Sequence, residues 1–166
     1  MNQTVIEALE KQANHEMFAA ESYRALHYWC DTHHYSGFAA FFRRQTQEEL
    51  EHAERILDHL AKRDVLPTLL PISAPAKDFA NLVEVARAAY NLERANTAGI
   101  HAAYEIALAE KDYGTQILLH WFISEQVEEE AWSDKMLGKT RTAQCSGALV
   151  YLDRHIVKEL GDSVDT

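Results

Sequence analysis

The chain's three prolines stand together, at Pro67, Pro71 and Pro75. Each removes a backbone donor and blocks helix continuation, so the segment from Asp64 to about Ala80 is predicted to be a long non-helical connection. Elsewhere the 166 residues contain only 6 Gly and abound in Ala, Leu, Glu, Gln and Arg, with apolar residues three or four apart, the helical signature. Two helical halves therefore flank one long connector.

Within the first half, Thr4 with Glu7 reads as a capping box opening a helix to about Asp31. A turn over His33 to Gly37 follows, with Ser36 as cap of a second helix to about Arg63. In the second half, Asn81 with Glu84 opens a third helix to about Lys111. Asp112 caps a fourth, which is expected to stop near Gly138. A shorter fifth segment, from about Ser146 to Leu160, carries Leu149, Leu152 and Ile156 on one face and is closed by Gly161. Short turns make antiparallel pairs of helices one and two and of helices three and four. The expectation is an all-α, single domain over residues 1–166: a four-helix bundle with one long crossover and a short C-terminal helix.

Composition narrows the function. A formal charge of −10 argues against nucleic acid, which needs a basic face. No run of about 18 apolar residues suggests a membrane span, and the start, Met1 to Thr4, lacks a secretory pattern. Two cysteines, Cys30 and Cys145, form neither a disulfide framework nor a C-x-x-C pair, which fits reduced thiols in the cytoplasm.

The inward stripes, read in steps of three and four, carry acids at mid-height. They are Glu16 beyond Ala13 on the first helix, Glu49 with His52 on the second, Glu93 on the third, and Glu125 and Glu129 between Phe122 and Trp132 on the fourth. Burying unpaired carboxylates costs several kcal/mol, roughly, or forces protonation, and no Lys or Arg lies near the middle of the stripes. A pair of metal ions compensates better, and carboxylate with imidazole suits iron. Glu49 and His52, at i and i+3, reach one ion closed by Glu16; Glu49 bridges to a second held by Glu93 and Glu129. Glu48, Glu125 and Glu128 hold a third ion or form a solvated rim. Tyr23 is a core tyrosine or an electron and hydrogen-bond partner of iron-bound oxygen. Gln126 binds an oxygen species or satisfies a neighbour, and Trp121 and Trp132 read as core. His27, His33, His34, His59, His101, His120 and His155 read as structural or exposed.

At these residues the sequence resembles a bacterial non-haem ferritin, a ferritin-like di-iron carboxylate protein. The resemblance rests on His15-Glu16-Met17-Phe18, Tyr28-Trp29-Cys30, Phe42-Arg43-Arg44, Gln47-Glu48-Glu49-Leu50-Glu51-His52, Leu66-Pro67 and Trp121 through Glu130. It implies one iron at Glu16, Glu49 and His52, a second at Glu49, Glu93 and Glu129, and a third at Glu48, Glu125, Glu128 and Glu129. It also implies Tyr23, Trp121 and Gln126 near the centre, and 24 subunits around a cavity. Glu129 stands where a bacterioferritin has a second histidine, and Leu50 where that branch has its haem-ligating methionine, so no haem is expected. The function this implies is ferroxidase chemistry: two Fe²⁺ oxidised by dioxygen or peroxide, with ferric mineral stored inside an oligomeric shell.

Overall fold

A computed structural model describes residues 1–160; the expected stop at Gly161 lies outside them. Five helices follow in order: α1 (Gln3–Thr32), α2 (Ser36–Ala61), α3 (Leu82–Ala109), α4 (Tyr113–Thr142) and α5 (Ser146–Leu160). α1 packs most extensively on α2, α3 on α4, and α1 on α3, whereas α2 and α4 barely touch. The crossover runs along α1: Glu10 accepts from the Thr68 N–H at 2.7 Å, and Asn14 Nδ2 donates to the Leu70 and Pro71 carbonyls.

The core is in two pieces. One cluster joins the N-terminal part of α1 (Leu9), the end of α2 (Ile56, Leu60), the end of α3 (Ile100, Ala107) and the start of α4 (Leu119, Phe122). The other joins the far end of α1 (Tyr23, Leu26), the start of α2 (Phe38, Phe42), the start of α3 (Val85, Ala89), the end of α4 (Met136) and α5 (Leu152, Ile156). This pairing of ends makes α1 antiparallel to both α2 and α3 and is the geometry of the single crossover. Between the clusters lies a buried polar belt of Glu16, Gln45, Glu49, His52, Glu93, Asn96, Gln126 and Glu129.

Several boundaries differ from expectation. Asn2, not Thr4, caps α1, its Oδ1 accepting from Thr4 N at 2.9 Å. At the start of α2 no local side chain caps; Ser36 is already helical, and Asp153 of α5 accepts from Gly37 N at 2.9 Å and Phe38 N at 3.0 Å. Gly37 is required there, because a Cβ would lie 1.8 Å from the Asp153 carbonyl oxygen. Asn81 and Asp112 do cap α3 and α4. α4 runs through Gly138 to Thr142, since one glycine costs only about 1 kcal/mol while Leu137 and Thr140 beside it are buried. Three connections turn through non-glycine residues at positive φ: His34 (65°), Asp64 (59°) and Lys111 (54°).

Candidate metal centre

Each of the four long helices delivers an acid to the belt. Glu16, Glu49 and Glu93 are fully buried and Glu129 is 4 % exposed. The α3 stripe falls on the expected residues, and the α2 stripe does so from Phe38 to Ile56, after which Leu60 rather than His59 is buried. On α4 the inward residue after Phe122 is Gln126, not Glu125, and Ser133 takes the place of Trp132. A 3.6-residue turn makes steps of three and four equally plausible from an anchor, and here the step of four holds.

The neighbours of these carboxylates solvate them without neutralising them. Glu16 accepts from Gln12 Nε2 and Asn96 Nδ2, both at 2.8 Å. Glu93 accepts from the Tyr23 hydroxyl on one oxygen and from Gln126 Nε2 (3.3 Å) on the other. Glu129 Oε2 accepts from Trp132 Nε1 and, at 3.4 Å, from Gln45 Nε2. Glu49 has no hydrogen-bond partner on either buried oxygen, and neither has Nδ1 of His52, which stands 3.6 Å from Glu49 Oε2. The His52 ring is held edge-on between Trp121 and Phe122, and the Arg55 guanidinium lies 3.7 Å from the centre of the Trp121 ring.

Electrostatics follow from this geometry. Burial, then the charges of Glu93 and Glu16, push the Glu49 carboxyl well above the usual carboxylate range. Burial raises Glu93 to about 7, although the Tyr23 and Gln126 hydrogen bonds oppose it. Glu129 is raised by burial and by Glu93 and Glu48. Burial and the negative charges of Glu93, Glu49 and Glu129 raise the Tyr23 hydroxyl, so it remains a donor. Without cations such acids take up protons; cations displace those protons and restore the charge.

Ligand atoms of Glu16, Glu49 and His52 lie within 4.8 Å of one another, all three residues buried. A second trio, Glu48, His52 and Glu125, meets the same limit with both glutamates half-buried, and His52 belongs to both. Among the described residues Glu93 and Glu129 join no such trio. Glu128 is exposed and stands outside the second trio. Burial raises Glu125, with Glu128 and Glu48 adding to it. Other histidines are engaged elsewhere: His27 with the Ala39 carbonyl, His59 with Thr115, His120 with Tyr104.

Sequence reasoning read Trp132 as core and gave Gln12, Gln45 and Asn96 no part in holding the acids. A signal existed for two of them. Gln12 and Trp132 stand one turn from the acid they bond on their own helix, whereas Gln45 and Asn96 donate across to acids of other helices.

The Ferritin-like domain family matches residues 6–143. A bacterial non-heme ferritin of Staphylococcus aureus (strain MRSA252) is 37 % identical over 162 residues, covering 97 % of this chain and 95 % of the relative. One from Escherichia coli O6:H1 (strain CFT073) is 33 % identical over 153 residues, covering 92 % and 93 %. Among solved structures, the open-pore ferritin of the hyperthermophilic archaeon Archaeoglobus fulgidus superposes with a TM-score of 0.91 at 31 % identity, covering 94 % of this chain and 97 % of that one. Fold, belt and relatives agree, and the chain belongs to the ferritin family.

Proposed function

We propose that the chain is an iron-storage subunit that oxidises Fe²⁺ at a di-iron ferroxidase centre inside the bundle. One observation carries this: both oxygens of Glu49 and Nδ1 of His52 are buried without partners, beside Glu16. A desolvated ligand set of this kind is costly unless a cation completes it. Glu16, Glu49 and His52 hold the first Fe²⁺, and Glu49 bridges to a second held by Glu93 and Glu129. Glu48 and Glu125, with Glu128 at the rim, form a third position.

Iron is the substrate. Anionic ligands favour Fe³⁺ over Fe²⁺ because the higher charge gains more from them. Two Fe²⁺ each give one electron; one dioxygen with two protons leaves as hydrogen peroxide, or one peroxide with two protons leaves as two waters. Tyr23, kept protonated, orients Glu93. Gln126 donates to Glu93, and its buried Oε1 has no partner. Leu50 offers haem iron no ligand.

We also propose that the whole chain acts as one domain, in the cytoplasm, in a 24-subunit shell enclosing ferric mineral. Exposed Leu66, Leu69, Leu70 and Ile72 on the crossover, with Val150 and Tyr151 on α5, offer apolar surface that neighbouring copies cover. The net charge favours neither nucleic acid nor an anionic membrane as partner, and no helix among the described residues is long and apolar enough to cross a membrane. The test is aerobic Fe²⁺ oxidation followed in the ultraviolet, with particle mass and iron per subunit. Rapid oxidation and a large particle holding many irons per subunit are expected. A Glu49→Ala/His52→Ala variant as fast as the parent removes this site from the reaction; a small oligomer holding about two irons per subunit removes storage.

A further inference from the structure

The four belt acids are not held alike. No amide, hydroxyl or indole donates to Glu49, and Glu16 takes two amide donors while still converging with Glu49 and His52. Glu129, just as buried, does not converge. Its Oε2 is tied to the indole N–H of Trp132, one turn further along α4, and to Gln45 of α2. The indole cannot follow a moving carboxylate, because its ring packs against Phe41 (4.8 Å between centroids) and Tyr23 (6.2 Å). Indole nitrogen is a donor only, so it can hold a carboxyl oxygen but cannot itself take part in binding an ion.

From this we infer that Trp132 is a positioning residue that holds Glu129 turned away from the acid cluster, so that a second ion competes with the indole for that carboxylate. The inference rests on the metal reading above and adds an order of loading to it. The Glu16–Glu49–His52 position is preformed and fills first. The position needing Glu129 forms only if that carboxylate turns toward the other acids, which the Trp132 and Gln45 bonds to its Oε2 oppose, and it is weaker by about the value of the indole bond, roughly tenfold.

The sign of one substitution decides the matter. An outer residue that holds a ligand in its binding orientation strengthens the site, and removing it weakens binding. A residue that holds the ligand away does the reverse. Calorimetric titration with Zn²⁺, which is redox-inert, on the intact assembled Glu48→Gln/Glu125→Gln protein, which lacks the rim position and serves as the parent here, is expected to show two ions per subunit, the second weaker. Trp132→Phe keeps a ring against Phe41 and Tyr23; it is expected to strengthen the second ion about tenfold and leave the first unchanged. Gln45→Leu is expected to shift the second ion in the same direction by less. Because Trp121 packs on His52, the near-ultraviolet indole difference signal is read in a Trp121→Phe background, where it is expected to grow with the second equivalent and to vanish when Trp132→Phe is added.

Second-ion affinity that is unchanged or lower in Trp132→Phe overturns the inference, as does an indole signal complete at the first equivalent. If Trp132→Phe does not fold, Gln45→Leu and the indole signal of the Trp121→Phe protein decide by the same criteria. If the parent binds no Zn²⁺, or Glu49→Ala/His52→Ala leaves both ions bound, the metal reading itself falls, and the inference with it.

Discussion

Asp153, on the last helix, caps the second: its Oδ1 accepts from the backbone N–H of Gly37 at 2.9 Å. The same oxygen accepts from Phe38 N. Asp153 is 6 % exposed, so its charge is stabilised by these donors and by the positive end of the α2 dipole. Replacing it should therefore affect two helices at once. Asp153→Ala is expected to cost about 1–2 kcal/mol of global stability, the range for a lost helix cap. Hydrogen exchange is expected to quicken in α5 and in the first turn of α2, and not at the far end of the bundle. Equal protection in α5 before and after the change would show that the cap does not hold α5.

Gly99 tests the belt without touching a proposed ligand. A Cβ there would stand 2.2 Å from Gln12 Oε1, and Gln12 Nε2 donates to both Glu16 Oε1 and Asn96 Oδ1. Alanine favours the helix by about 1 kcal/mol but displaces Gln12. Gly99→Ala is expected to leave the unfolding midpoint within a few degrees, roughly, while weakening Zn²⁺ binding about tenfold. Equal Zn²⁺ affinity in both proteins would mean that Gln12 does not orient Glu16.

Glu93 fixes the sign of a pH dependence. Burial raises it from 4.5 to about 7. Between those values the unfolded chain has released this proton and the folded chain still holds it. The metal-free protein should therefore lose stability as pH rises through that window, by roughly 3 kcal/mol from this group. Urea midpoints at pH 5 and pH 7.5 measure it. A bound divalent ion displaces the proton, so saturating Zn²⁺ should abolish or reverse the slope, and Glu93→Gln should flatten it in the metal-free protein.

Glu49→Gln separates stability from binding. At pH 7 folding of the metal-free chain must place on Glu49 a proton that the unfolded chain has released, or tolerate its charge among Glu93 and Glu16. A neutral isostere avoids both. The variant is expected to be more stable than the metal-free parent and to lose high-affinity Zn²⁺ binding. A variant that is less stable than the parent would show that Glu49 contributes to folding unaided.

Lys111 turns the chain between α3 and α4 at φ 54°, where Asp112 N reaches back to the Ala107 carbonyl at 2.9 Å. A left-handed conformation strains every residue with a Cβ. Lys111→Gly is expected to raise stability by about 0.5–1 kcal/mol, seen as a higher thermal midpoint, with Zn²⁺ binding unaltered.

How much of this is legible before folding depends on distance along the chain. The crossover follows from three prolines, and the α3 stripe reads without ambiguity because charged or exposed residues such as Arg94 and Glu105 flank it. On α4, Glu125 and Gln126 are both polar, so periodicity alone does not choose between them; the helix phase set by Phe122, Glu129 and Met136 does. The Asn2 and Thr4 caps differ by two residues, within the reach of local competition. The capping of α2 by Asp153 joins positions more than a hundred residues apart, and no local pattern encodes it. The acids themselves are legible because burial makes a carboxylate conspicuous. Their donors are amides and an indole, which pass for ordinary core.

The division of the core into two apolar clusters by a polar belt has a mechanical consequence. Each end of the bundle is an interlocked apolar plug, while the waist is held largely by hydrogen bonds among polar side chains. Deformation therefore concentrates where ions bind, and loading the waist with metal rivets the two plugs into one rigid rod.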